Sequence, residues 1–228
     1  MGGTIWGPGL HRHDEPSHHQ VPGLDPEKKT LSASERDETA RAAWRERVGG
    51  IDPARFVFVD ETGSHLGLTR TYARAPRGER AVGRAPRNRG RTRTAVAAIT
   101  LGGMRPGLLV EGGISTAGFE AYVERILAPA LEPGQVVVLD NLQQHRGGRT
   151  RELIEARGAA LWFLPAYSPD LNPIEEAFSK AKALLRTAAA RAHEALAEAI
   201  WAALAAITPA DARGYFDHAG YPARGQLT

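Results

Sequence analysis

An α/β domain, a mixed sheet with helices on both faces, is the architecture predicted by residues 51–190 of this 228-residue chain. Three observations lead there. Short apolar runs, FVFVD at residues 56–60 and VVVLD at residues 136–140, read as strands buried on both faces, as the inner strands of a parallel sheet are. Several adjacent strands come first, followed by strands alternating with helices, which is the order of a mixed sheet. The helical stretches carry apolar residues at helical spacing behind cap residues.

At the start of the chain, residues 1–24 are rich in Gly, Pro and His without periodicity, so residues 1–26 are expected to be a disordered tail. His11, His13, His18 and His19 could be taken for a metal tract, but a mobile tail or a fused reading frame is the plainer reading. Residues 27–50 are expected to be a linker helix. Its helical part is SERDETARAAWRERV at residues 34–48, with Ala40, Trp44 and Val48 on one face and Gly49 and Gly50 as the stop. One short amphipathic helix cannot form a domain and must dock on the residues downstream of it. Within the domain, strands are expected at 56–60, 92–101, 107–113, 136–141 and 160–165. Helices are expected at 115–131 behind Ser115, near 150–157, and from Pro173 to about residue 190. Two more helical stretches, 193–207 and 209–218, form a C-terminal extension over 191–228.

Composition narrows the class. Hydrophobic residues make up 42% and charged residues 24%, enough apolar material for a core and too much for wholesale disorder. No apolar run approaches the roughly 18–20 residues that span a bilayer, and the first residues lack a signal-peptide pattern, so a cytoplasmic protein is expected. The absence of Cys leaves carboxylates and His as the only strong metal ligands.

The net charge of +3 conceals a strong local asymmetry. Between the first and second expected strands lies RTYARAPRGERAVGRAPRNRGRTR, residues 70–93. It holds nine Arg (Arg70, Arg74, Arg77, Arg80, Arg84, Arg87, Arg89, Arg91 and Arg93) against the single acid Glu79, a local charge of +8 that leaves −5 for the rest. Charge runs are commonly solvated loops. These Arg, spaced by Pro and Gly, repel one another unless a polyanion neutralises them, and Arg suits bidentate phosphate contacts, so nucleic acid is the expected partner.

The candidate chemistry rests on three carboxylates. FVFVD and VVVLD each deliver an Asp to the carboxyl end of a strand, where open α/β sheets gather ligands. If those strands are neighbours, Asp60 and Asp140 face each other. Bare carboxylates so placed repel unless they share a proton or bind a cation. Either Asp alone would read as a turn residue. Asn141 and His145 come after Asp140 and are candidate supporting residues for positioning phosphate or nucleophile. The third acid lies in LPAYSPDLNPIEEAFSKAK, where Asn172, Pro173 and Glu175 also match a helix cap, a first-turn proline and a capping box. Glu175 lies nearer than Glu176 to the buried stripe of Ile174, Phe178, Ala181 and Leu185, yet both flank it. Three hard oxygen ligands suit Mg²⁺ or Mn²⁺. Two such ions, about 3.5–4 Å apart, clamp the attacking and leaving oxygens of an in-line phosphoryl displacement.

The phrases VFVDETG, RAPRGER, VVVLDN with His145 beyond it, YSPDLNPIEEAFSKAKALLR and the closing GYFDHAGY together resemble the catalytic domain of the DDE transposases of bacterial insertion sequences, in the mariner-related branch. Thirty-four residues separate Asp140 from Glu175, the characteristic spacing of that superfamily. The resemblance implies an RNase H-like fold, with Asp60, Asp140 and Glu175 holding two Mg²⁺ or Mn²⁺ ions. In that family the metal pair serves cleavage of double-stranded DNA at the element's ends and attack of the freed 3′-hydroxyl on target DNA. The family motif places the acid directly after Pro-Ile, which favours Glu175 and leaves Glu176 second. Arg74, Arg77 and Arg80 fall in the family's basic segment. Relatives of this kind carry helix-turn-helix modules ahead of the catalytic domain, whereas some 50 residues precede Ile51 here. A truncated or split transposase is therefore expected, working as a homodimer or with a separate DNA-reading polypeptide. The alternatives are a metal-dependent structure-specific nuclease or resolvase, and an inactive DNA-binding remnant.

Overall fold

The computed structural model describes residues 34–70, 72–141 and 147–222. The expected tail, its His tract, the start of the linker and His145 lie outside the described residues.

Five strands form one sheet in the order β3-β2-β1-β4-β5: β1 (Phe56–Ser64), β2 (Arg93–Thr100), β3 (Gly103–Glu111), β4 (Val136–Leu139) and β5 (Ala160–Phe163). The first three pair antiparallel and β1, β4 and β5 pair parallel, so the sheet is mixed. β1 has a partner on each side and a helical layer over each face, which is why four consecutive apolar residues can open it. β3 lies at an edge and starts four residues earlier than expected. There Pro106, which lacks an N–H, costs no ladder bond that the sheet needs. Opposite it the β2–β3 register shifts between Val96 and Ala98. A Cβ on Gly107 would lie 2.4 Å from the Val96 carbonyl oxygen, so this irregularity requires glycine.

The pleat sends alternate residues to two cores. Phe56, Phe58, Val136 and Val138 face one cluster, whereas Val57, Val59, Val137 and Leu139 face the other. Over the second face lie α2 (Thr116–Tyr122), capped by Ser115, and α3 (Gly148–Glu155). The helix expected over 115–131 changes winding: after α2 come a π turn, Val123–Leu127, and a 3₁₀ turn, Ala128–Ala130. Pro129 has no N–H for the α ladder and crowds the preceding carbonyls, which accounts for the change.

The first face is covered by α4 (Pro173–Ala188), α5 (His193–Ala205) and α6 (Pro209–His218). Ala189 ends α4 in the left-handed conformation, and Thr208 and Asp211 form a capping box on α6. The helix upstream of the sheet, α1 (Glu38–Gly49), starts behind Asp37, whose carboxylate accepts the Ala40 N–H, rather than at residue 34. Its Trp44 and Val48 enter the same cluster as Phe56 and Phe58, as do Leu196, Ile200, Phe216 and Tyr221. Tyr221 packs with ring centroids 5.4 Å from Phe56 and 4.9 Å from Phe58. The third buried position of α1 is Arg41, fully enclosed, whereas Ala40 is only half-buried.

Candidate active site

Register places the first two acids together. β1 and β4 pair from Phe56↔Val136 to Phe58↔Val138; Asp60 on β1 and Asp140, just past the end of β4, each follow the last pair by two residues and line one cavity. Asp60 lies one pleat beyond Phe58, on the face covered by α4. Asp60 is not at the end of its strand, as the sequence suggested. β1 continues to Ser64 against β2 alone, with Asp60 paired to Ala97, while β4 stops at Leu139. The two strands part at this point, and the opening exposes the acids to a common cavity.

Asp60 is 8% exposed. One carboxylate oxygen accepts the Glu61 N–H at 2.7 Å and the other accepts Asn172 Nδ2 at 2.9 Å. Burial pushes its pKa up to about 7. The Glu61 N–H opposes that rise, and the charges of Glu175, Asp140 and Glu61 add to it. Asp140 is half-buried and Asn141 exposed.

The third acid comes from α4. The 3₁₀ turn Pro169–Leu171 and Pro173 at the first helical position fix where that helix begins, and Glu175 in its first turn reaches the cavity of Asp60 and Asp140. The first-turn N–H groups favour a negative charge there. Glu176 is turned aside: it bonds the His218 ring at the end of α6 and does not line the cavity. Its carboxylate raises the His218 pKa through that bond and its charge. The capping-box reading of Asn172 is corrected, because its side chain makes no cap bond and is spent on Asp60. Sequence reasoning missed that contact, since Asn before Pro at a helix start is also the commonest cap signal.

The cavity holds about 390 Å³ and is lined by the three acids, Asn141, Asn172 and the segment 164–169. That segment supplies an apolar wall in which Tyr167 is 58% exposed and has a left-handed backbone (φ 54°). Among the described residues no three acid or imidazole groups stand close enough to encage an ion. The donor set still fits a hard divalent cation: all-oxygen, without Cys, with one carboxylate destabilised by burial and further by its neighbours' charges. Mg²⁺ keeps several waters and needs few protein ligands.

The described residues of the Arg-rich segment form no helix or strand before Arg93 and are almost wholly exposed. Its base is fixed: Arg191 donates to the Leu66 and Leu68 carbonyls, and the Leu66 N–H donates to the Arg89 carbonyl. Arg70 donates to Thr187 Oγ1. Arg91 bonds Glu111 at 2.5 Å, and Arg93 lies 3.8 Å from the same carboxylate, so these last two are partly neutralised within the protein. None of the ion pairs among the described residues involves Arg74, Arg77, Arg80, Arg84 or Arg87.

Solved structures share this architecture. The Mos1 transposase paired-end complex with left transposon end superposes with a TM-score of 0.71 at 18% identity, over 87% of this chain and 64% of that one. The Mos1 strand transfer complex gives 0.66 at 19%, over 87% and 64%. The Mos1 transposase catalytic domain with raltegravir and Mg gives 0.57 at 15%, over 80% and 87%. The present chain thus spans about 64% of the full transposase chains it resembles, and the fold is RNase H-like, that of these catalytic domains. No curated protein matches the sequence. A family model for the DDE superfamily endonuclease matches residues 55–197, a span that opens one residue before β1 and takes in Asp60, Asp140 and Glu175, and by that match the chain belongs to the DDE superfamily of endonucleases.

Proposed function

We propose that the chain is the catalytic part of a transposase of the mariner-related kind encoded by bacterial insertion sequences, and that it cuts and joins DNA strands by metal-dependent phosphoryl transfer. The observation that carries this reading is one cavity lined by Asp60 on β1, Asp140 just past the paired parallel strand β4, and Glu175 in the first turn of α4. These three would hold two Mg²⁺ or Mn²⁺ ions. Bound there, the metal pair supplies activation of the attacking oxygen and neutralisation of the leaving one.

The residues of the chain do the rest. Glu61 N–H and Asn172 fix the plane of the Asp60 carboxylate. Arg74, Arg77, Arg80, Arg84 and Arg87 lie on the segment whose base is pinned beside α5, and they neutralise DNA phosphates there. The exposed Tyr167 ring at the cavity wall offers a surface on which a base can stack. Asn141 and His145 act in support. Attack by water on a phosphodiester releases a 3′-hydroxyl, and that hydroxyl then attacks a phosphodiester of the target, forming a new 3′-O–P bond as the bond to the target strand's 3′-oxygen breaks and that oxygen leaves as a hydroxyl. Recognition of the element's ends belongs to residues outside the described domain, in this chain or in a second polypeptide, and a homodimer would bring two ends together. No helix among the described residues is long and apolar enough to cross a membrane, and the reading places the protein with its DNA in the cytoplasm.

A strand-joining assay with pre-cut 3′ ends tests the proposal. Joining that depends on Mg²⁺ or Mn²⁺ and on Asp60 supports it. Cleavage of branched or flapped DNA without any joining assigns the site to a nuclease or resolvase instead, and absence of both reactions identifies a remnant. Footprinting on terminal repeats tests the source of end recognition: sequence-specific protection by this chain alone removes the need for a second polypeptide.

A further inference from the structure

The most completely enclosed charge among the described residues lies outside the cavity. Arg41 on α1 has no exposed side-chain surface, and a charge so enclosed persists only when paired. Its guanidinium forks onto Asp170, with Nη1 to Oδ1 at 3.0 Å and Nη2 to Oδ2 at 2.6 Å. Glu38 stands 3.4 Å from its Nε, and Arg36 adds a bond to Asp170 at 3.4 Å. One helical turn along α1, Trp44 Nε1 donates to the Tyr221 hydroxyl at 2.9 Å, and that hydroxyl donates to the Leu171 carbonyl at 2.8 Å. Asp170 and Leu171 are consecutive residues of the 3₁₀ turn that ends at Asn172. Asn172 is 4% exposed and places Nδ2 2.9 Å from Asp60 Oδ2.

Two adjacent residues of one short turn are therefore gripped from α1, the first by a bidentate ion pair and the second through Tyr221, and the next residue grips Asp60. A turn that served only to start α4 would need neither grip, because Pro173 and the 3₁₀ bonds already define it. From this geometry we infer that Asn172 is a positioning residue for Asp60, and that α1 holds it in place through Arg41–Asp170 and Trp44–Tyr221–Leu171. The inference rests on the proposed role of Asp60 as a metal-holding acid. Outer partners of carboxylate ligands typically alter metal affinity or activity by about 10–100-fold when removed.

The test is Mn²⁺ binding to the full chain, measured by titration in the absence of DNA, together with thermal unfolding. Asn172→Ala is expected to weaken the Asp60-dependent Mn²⁺ site by about 10-fold or more. Arg41→Ala and the milder Asp170→Asn are expected to weaken it in the same direction. The Arg41→Ala/Asn172→Ala double variant should be no weaker than Asn172→Ala alone, because both act through one contact. Asp170→Asn keeps the shape of the turn and carries the test if Arg41→Ala fails to fold. Melting temperatures that fall while Mn²⁺ affinity stays within twofold of the unaltered chain overturn the inference, and so do effects that multiply in the double variant. If Mn²⁺ binding shows the expected losses but no DNA strand is joined, the transposase reading falls and the positioning role stands. If the unaltered chain shows no Asp60-dependent Mn²⁺ binding, both fall.

Discussion

Asp60 destabilises the metal-free fold, and replacing it with Asn removes that cost. Its carboxyl titrates near 7 in the folded chain, against an ordinary value of 3.8. Below pH 3.8 it is neutral in both folded and unfolded states and costs nothing. Between 3.8 and 7 the unfolded chain ionises first, so stability falls as pH rises, and above 7 the loss is constant. At 1.36 kcal/mol per pH unit, the difference amounts to about 4 kcal/mol. That value already includes the Glu61 hydrogen bond to the charged form, and Asn resembles the neutral acid, so Asp60→Asn is expected to gain up to about 4 kcal/mol above pH 7. For a chain of this size, that raises the melting temperature by up to about 8–16 °C. The assay is thermal unfolding with a chelator at pH 4 and pH 8. The substitution is expected to stabilise at pH 8 and to have little effect at pH 4. Saturating Mg²⁺ or Mn²⁺ should stabilise the unaltered chain at pH 8, by about 2.7 kcal/mol at a hundred times the dissociation constant, and should leave the variant much less changed. A variant no more stable than the parent at pH 8 in chelator, or equally stabilised at both pH values, would refute the reasoning.

Glu175→Gln should abolish metal-dependent DNA nicking while Glu176→Gln retains it within a fewfold, as a nicking time course would show. The reverse pattern would transfer the third role to Glu176. Replacing Arg74, Arg77 and Arg80 together by Ala should weaken DNA binding and flatten the plot of log affinity against log salt by up to about 2.7, near 0.9 per lost phosphate contact. The same change at Arg91 and Arg93 should flatten it less, because Glu111 already engages both. Gly107→Ala forces a side chain against the Val96 carbonyl and should destabilise the fold by about 1–3 kcal/mol in denaturant titrations, with m unchanged.

The centre of the sheet was readable in the sequence because burial on both faces admits only apolar residues, so FVFV and VVVL signal inner strands wherever they pack. The two runs also end alike, each on an Asp, and the β1–β4 pairing before them brings Asp60 and Asp140 to one cavity. The third acid was less readable: adjacent residues in a helix's first turn differ by only about 100° in direction. Glu175 lines the cavity, whereas Glu176 engages His218, forty-two residues away. Local signals also misdirected. Asn172 satisfies every local criterion of a cap yet bonds a residue 112 positions distant. Arg41 sits three residues before Trp44 on the buried stripe of α1. That spacing was the one sign that a charged side chain would be enclosed, and nothing local indicated Asp170 as its partner. The +8 segment was legible as charge but not as pairing, because the neutralisation of Arg93 by Glu111 depends on their facing each other across β2 and β3.

The central claim, that three carboxylates form a site for two metal ions, is tested most directly by a crystal structure of the chain soaked in Mn²⁺ and measured at the manganese absorption edge. Two anomalous peaks about 3.5–4 Å apart among Asp60, Asp140 and Glu175 are expected. Peaks elsewhere, or none at Asp60 under conditions where the chain joins DNA, would contradict it.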